Sequence, residues 1–237
     1  MSVVELDAVA FRYEDMLMRF DLVVEAGECL ALIGPSGAGK STLLNLIAGF
    51  ERPESGRVRI LGQDMTDAPP AARPVTMLFQ EHNLFAHLSV FDNVALGIHP
   101  GLRLTAEDRA RVEAALGEVG LAGMGHRLPS QISGGERQRA ALARSLVRKR
   151  PILLLDEPFA ALGPKLRREM LDLVGAMRRA RGLTVLFVSH QPEDARYAAD
   201  RTAFVRDGQV RRIAPTSAFF AEPRPDDLAD YLGEAEG

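Results

Sequence analysis

One cysteine, Cys29, is all the sequence contains, so no internal disulfide can staple the chain. It lies in the apolar run Cys29-Leu30-Ala31-Leu32-Ile33, where packing in a buried strand is the expected role and a reducing cytoplasm the expected setting. Long hydrophobic runs are missing as well. None approaches the roughly 18 residues that a bilayer-spanning helix requires. The start, Met1-Ser2-Val3-Val4-Glu5-Leu6-Asp7, lacks the basic residues and apolar stretch of a secretory leader. The expectation is a protein that is neither exported nor membrane-spanning, with any membrane role supplied by a partner. Nor is there an excess of one charge. Lys and Arg number 29 against 32 Asp and Glu, for a net charge of −3, and the signs are interspersed. That balance lacks the footprint of a nucleic-acid binder, so no nucleic acid is expected among the partners. No internal repeat is evident.

What is present is ordinary for a globular protein. The 237 residues are 46% hydrophobic and 26% charged, enough for a sizeable core. Three short β-rich apolar runs, 29–33, 152–155 and 184–188, read as buried strands. Each is followed by a polar cluster and then a helical pattern. Strands alternating with helices indicate an α/β fold with a mainly parallel sheet, whose ligands lie beyond the carboxyl ends of the strands. The three polar clusters then converge on one edge. Residues 3–11 and 20–24 read as an antiparallel side sheet, and 203–205 and 210–213 flank a hairpin signal, Asp207-Gly208. The segment 67–74 carries three prolines and is a loop. Residues 105–119 and 134–149 are rich in helix formers and form a helical lobe inserted between the first two core strands.

Gly34-Pro35-Ser36-Gly37-Ala38-Gly39-Lys40-Ser41-Thr42 matches G-x-x-x-x-G-K-[ST] in full, after a strand and before a helix. Glycines let backbone N–H groups turn inward around phosphate oxygens without a Cβ in the way. Lys40 adds charge for the β- and γ-phosphates, and Ser41 offers its hydroxyl to Mg²⁺. The helix expected from about Gly39 to Ala48 aims its positive end at the same anion, and Gly49 is placed to stop it.

Further along, Ile152-Leu153-Leu154-Leu155 ends in Asp156-Glu157. Asp156 is positioned for the Mg²⁺ shell, and Glu157 to orient or deprotonate an attacking water. The strand 184–188 delivers Ser189-His190 to the same edge, and Val75-Thr76-Met77-Leu78-Phe79 delivers Gln80 in the same way. Ser133 reads as an N-cap before Gly134-Gly135, making a second anion site from a helix N-terminus.

Ile132-Ser133-Gly134-Gly135-Glu136-Arg137-Gln138-Arg139, standing between the phosphate loop and the Asp-Glu strand, resembles the signature motif of ABC ATPases. The resemblance covers about residues 1–215. It implies a P-loop NTPase (ABC ATPase) core with an antiparallel side sheet and an inserted helical subdomain at about 85–150, leaving 216–237 as a short tail. It implies ATP as the nucleotide, with Mg²⁺ held by Ser41, Gln80 and Asp156. It also implies a homodimer in which Ser133, Gly134 and Gly135 of one subunit face the γ-phosphate held by the other. Lys40, Gln80, Glu157 and His190 are then catalytic: Gln80 is the loop glutamine, Glu157 the general base and His190 the switch histidine. Tyr13 resembles the aromatic that stacks on adenine, with Phe11 as the neighbouring alternative. Two departures stand out. Glu136 replaces the usual Gln and adds negative charge near the triphosphate, to be offset by Arg137 or Arg139. Gly163 stands where the family has Asp, so a link across the dimer is missing and altered coupling between the two sites is expected.

Beyond these motifs, Met18-Arg19-Phe20, the run 43–50, residues 73–88 and the run 96–102 resemble the ATP-binding subunits of bacterial thiamine importers. That likeness implies an integral membrane permease as partner, a periplasmic thiamine-binding protein as an indirect one, and a peripheral place on the inner face of the bacterial plasma membrane. Residues 81–88, anchored by Leu84 and Phe85, are the expected docking surface for the permease. The alternatives are an importer ATPase for another solute such as iron, sulfate or polyamine, or a non-transport ABC ATPase.

Overall fold

In the computed structural model, which describes residues 1–79, 84–221 and 226–233, ten strands form one curled sheet. In chain order they are β1 (Ser2–Tyr13), β2 (Met16–Glu25), β3 (Cys29–Ile33), β4 (Ser55–Ile60), β5 (Gln63–Asp64), β6 (Val75–Leu78), β7 (Ile152–Asp156), β8 (Thr184–Val188), β9 (Arg201–Arg206) and β10 (Gln209–Pro215). Their order across the sheet is β5-β4-β1-β2-β10-β9-β3-β8-β7-β6. The half from β9 to β6 is parallel, and β1, β2, β4 and β5 pair antiparallel. The strand periodicities explain this division. Every residue of β3 and β8 is buried, as strands covered on both faces must be. Along β2, by contrast, Met18, Phe20, Leu22 and Val24 point inward between exposed neighbours. Strand β4 was not expected from the sequence, because only the brief alternation of Val58 and Ile60 announces it.

The helix α1 (Lys40–Ala48) packs Leu43, Leu44, Leu46 and Ile47 between the two halves of the sheet. It begins at Lys40, one residue later than expected, because Gly39 adopts a left-handed conformation and serves as its N-cap. Gly49 closes it, donating its N–H to the Asn45 carbonyl. Arg73, from the proline-rich loop, reaches under this end fully buried. It donates to the carbonyls of Leu46, Ile47, Ala68 and Thr66.

Between β6 and β7 the chain makes α2 (Val90–Ala95), α3 (Ala106–Glu118) and α4 (Gly134–Leu146), which share a core through Val94, Leu116 and Leu142. Helix α4 ends three residues before the expected Lys149, which is itself left-handed. After β7 come α5 (Pro164–Arg181) and α6 (Pro192–Ala198). The β9–β10 hairpin turns at Asp207-Gly208, both at positive φ, as the sequence signal required. Residues beyond 215 do not simply trail away. They form α7 (Thr216–Phe219) and α8 (Asp226–Leu232), with Phe219 and Leu228 fully buried. The Pro- and acid-rich composition of this stretch masks a few apolar residues that are sufficient to dock it.

Cys29 is buried at the start of β3, and burial pushes its thiol pKa up to about 12. It is therefore expected to resist alkylation at mildly alkaline pH while the chain is folded and to react once denaturant unfolds it. Rapid labelling of the native protein would show that β3 is not packed as described. Arg73→Met leaves buried carbonyls without donors and is expected to lower stability by about 2–4 kcal/mol, read from the denaturation midpoint.

Candidate nucleotide site

Register sets the site. In the parallel pairs Leu32 lies beside Val188, and Val188 beside Asp156, so β3, β7 and β8 end at one level. The chain leaves those ends as the phosphate loop, as Glu157 and as Ser189-His190. A cleft of about 240 Å³ at this edge is lined by Ser36, Gly37, Gly39, Lys40, Ser41 and Thr42, by Glu157 and His190, and by Tyr13 and Met18.

The loop is compressed against its neighbours. Gly34 has a φ of 147°, and a Cβ there would fall 2.0 Å from the Val205 carbonyl oxygen. Lys40 is buried and turned back on the loop, its Nζ donating to the carbonyls of Gly34 at 2.9 Å and Pro35 at 2.7 Å. Burial lowers its pKa, an effect opposed by the charges of Glu157 and Asp156. Ser41 donates its hydroxyl to Asp156 Oδ1 at 2.8 Å. Burial raises the Asp156 pKa above the usual carboxylate range, the Ser41 hydrogen bond pulls it back, and the charge of Glu157 raises it again. Two hard oxygens therefore meet where a carboxylate lacks solvation. That setting fits a small divalent cation such as Mg²⁺, for which Ser41 and Asp156 are the available holders. Among the described residues no cluster of three or more acidic, His or Cys side chains provides another place for one.

Glu157 adopts a left-handed backbone, with φ of 47°, a strained conformation that a non-glycine residue holds at a cost of about 1–3 kcal/mol. Its Oε1 lies in direct contact with His190 Nε2. The loop carrying His190 is fixed by its neighbours: Ser189 donates its N–H to the Leu32 carbonyl and its hydroxyl to Asp194, and accepts from the Gln191 N–H. Strain and cross-links together hold the two side chains at the mouth of the cleft.

Tyr13 ends β1 at the tip of the β1–β2 hairpin, pairs with Met16 and is mostly exposed. Phe11, the alternative, packs against the core beneath. Met18 stands out in the sequence only for its likeness to importers, yet it is buried under the loop and limits the space at Gly39 and Gly208. Gln80 lies outside the described residues. Ser133, Gly134 and Gly135 open α4 in the helical lobe and do not line this cleft.

The two departures have distinct local structures. Glu136 folds back onto the helix start: its Oε2 accepts from the Ser133 N–H at 2.6 Å, and the Ser133 Oγ accepts from the Glu136 N–H at 3.2 Å. This is a capping box, whose signal in the sequence is the Ser-x-x-Glu spacing rather than the charge of Glu136. The Ser133 backbone bond chiefly, then its hydroxyl, hold the Glu136 carboxyl below its usual pKa, with smaller help from Arg127 and Arg139. Arg137 is not the offsetting charge; it donates to the carbonyls of Pro129 and Ile132. Gly163 is the N-cap of α5, with φ of −64° and open space around its missing side chain. Gly163→Asp is accordingly expected to fold without strain and gain a few tenths of a kcal/mol from capping, measured by denaturant titration. A loss of stability would contradict the open geometry.

A family model described as ABC transporter matches residues 17–160, more than half of the chain. Thiamine import ATP-binding protein ThiQ of Chelativorans sp. (strain BNC1) is 57% identical, over 98% of this chain and 95% of its own length. The protein of the same name from Photobacterium profundum is 50% identical, over 93% of this chain and 91% of its own. Among solved structures, the dimeric post-hydrolysis state of the ATP-binding cassette MJ0796 bound to ADP and Pi is 30% identical. It superposes with a TM-score of 0.77 over 90% of this chain and 98% of that one. The ADP conformation of MJ1267, an ATP-binding cassette of an ABC transporter, gives a TM-score of 0.89 over 99% of this chain and 100% of that one; at 23% identity it speaks to the fold alone. With a family model across most of the chain and relatives of this identity along nearly all of it, the protein belongs to the ABC transporter family, as one of its ATP-hydrolysing subunits.

Proposed function

We propose that this chain powers thiamine uptake, hydrolysing ATP in the cleft between the phosphate loop, Glu157 and His190 and passing the movement to separate membrane subunits. The observation that carries the chemical part is the convergence of Lys40, Ser41, Glu157 and His190 on one cleft, with Asp156 hydrogen-bonded to Ser41. The solute is assigned by the relatives that bear the thiamine import name.

In this reading the triphosphate lies over the loop amides of residues 34–42, and Lys40 exchanges its two carbonyl partners for β- and γ-phosphate oxygens. The exposed ring of Tyr13 stacks on adenine at the hairpin tip. Ser41 and Asp156, with Gln80, would hold Mg²⁺, which would supply positive charge to the triphosphate. Glu157 takes the proton of the attacking water. As the new oxygen–phosphorus bond forms at the γ-phosphate, the bond to the β–γ bridging oxygen breaks, yielding ADP and inorganic phosphate. His190, against the Glu157 carboxylate, orients that base. Ser133, Gly134 and Gly135 from a second copy complete the site, consistent with their absence from this chain's own cleft. Gly163 leaves one cross-dimer link unmade and alters coupling between the two sites.

Among the described residues no helix is long and apolar enough to cross a membrane. In the proposed reading the permease is a separate subunit, and this chain lies peripherally at the inner face of the membrane. Of the two anchors expected for the permease, Leu84 packs against the lobe core, whereas Phe85 is half-exposed and follows the segment beyond the described residues. Phe85 is the better candidate for docking.

Glu157→Gln is expected to cut ATP turnover at least about 100-fold while ATP binding persists, and to stop uptake of labelled thiamine by the assembled transporter. Uptake of a different solute, with thiamine ignored, would overturn the substrate assignment and leave the ATPase assignment standing. Phe85→Asp is expected to abolish co-purification with the membrane subunit; retained co-purification would remove Phe85 from the docking surface.

A further inference from the structure

The C-terminal helix α8 reaches the nucleotide site from behind. Leu228 is fully buried in the core that also contains Ile33, Phe187 and Phe204. One turn on, the Tyr231 ring packs on Phe204 with centroids 5.5 Å apart, and Arg206 donates to the Asp227 carbonyl at 3.1 Å. These contacts set the Tyr231 hydroxyl against the loop that carries His190. It donates to the His190 carbonyl at 3.4 Å. Burial raises the phenol pKa above its ordinary value, so the hydroxyl remains a donor at neutral pH.

The two anchors of Tyr231 differ in stiffness. Phe204 is buried in β9 and pairs with Ile33 of β3, so it is a fixed post. His190 is in a loop, its side chain about two-fifths exposed, and its useful atom is the Nε2 that meets Glu157. A bond to the backbone carbonyl of that residue restrains where the imidazole stands without touching it. We propose that Tyr231 is a positioning residue for ATP hydrolysis, tying the His190 loop to Phe204 of β9 so that the imidazole faces Glu157. The proposal rests on the reading of His190 as a participant in hydrolysis.

The test is a double-mutant cycle on the full-length chain, with steady-state ATPase and thermal unfolding measured together. Tyr231→Phe removes one oxygen and keeps the ring on Phe204. It is expected to lower kcat about three- to tenfold, the worth of one hydrogen bond, with the KM for ATP within about twofold and little change in the unfolding midpoint. Added to His190→Ala, it is expected to cause no further loss, because the residue it positions is gone. Wild-type turnover in Tyr231→Phe, alongside an inactive His190→Ala, overturns the proposal alone. Losses that multiply in the double variant also overturn it, since they show an effect not routed through His190. Wild-type turnover in His190→Ala overturns both this proposal and the role given to the histidine. Should Tyr231→Phe unfold early, amide exchange at residues 189–191 in the folded fraction decides: faster exchange than in the parent supports the tether, and equal exchange overturns it.

Discussion

Parallel pairing of β3, β7 and β8 in a single register is the constraint on which the site depends. In a parallel sheet every strand points the same way, so strand ends far apart in the chain are brought to a common edge. Because Leu32, Val188 and Asp156 lie side by side, the phosphate loop, Glu157 and His190 leave the sheet at one height. A slip of one residue in either pairing would turn alternate side chains to the opposite face and carry Asp156 away from Ser41. The completely buried faces of β3 and β8 make such a slip costly. Core packing therefore holds the catalytic register, and the core residue Met18 itself lines the cleft.

The site stores electrostatic and conformational strain in complementary forms. Burial disfavours the charge of Lys40 and also that of Asp156, and each eases the other. Glu157 holds a left-handed backbone beside them. A polyanion with a divalent cation brings opposite charges to both partners at once, so binding relieves what folding left unsatisfied. The buried Arg73 plays an analogous part at the other end of α1. It satisfies carbonyls that the helix leaves open there and stiffens the element whose N-terminus faces the cleft.

Local chemistry was legible in the residues alone. The segment 34–42 is contiguous, and its glycines and Lys40 act through backbone geometry that nearest neighbours decide. The strands 29–33, 152–155 and 184–188 announce themselves by unbroken apolar character, and Asp207-Gly208 by its turn chemistry. The Ser133–Glu136 capping box is equally local, since both its bonds lie within four consecutive residues. Leu84 and Phe85 were indistinguishable in sequence, since both are large and apolar and neighbours in the chain. Packing against the lobe core separates them.

The sequence by itself determined which backbone segments can cradle phosphate, which strand carries paired carboxylates, and the family to which the chain belongs. Each of those follows from short-range order, where residue type dictates conformation. Tertiary structure alone decided that Tyr13 and not Phe11 lines the cleft, that Arg73 closes α1, and that the C-terminal stretch folds back to set Tyr231 against the His190 carbonyl. The physical reason is distance along the chain. Contacts between residues 178 positions apart, as Arg201 and the Val23 carbonyl are, arise from the summed packing of every element between them, and no local pattern encodes that sum.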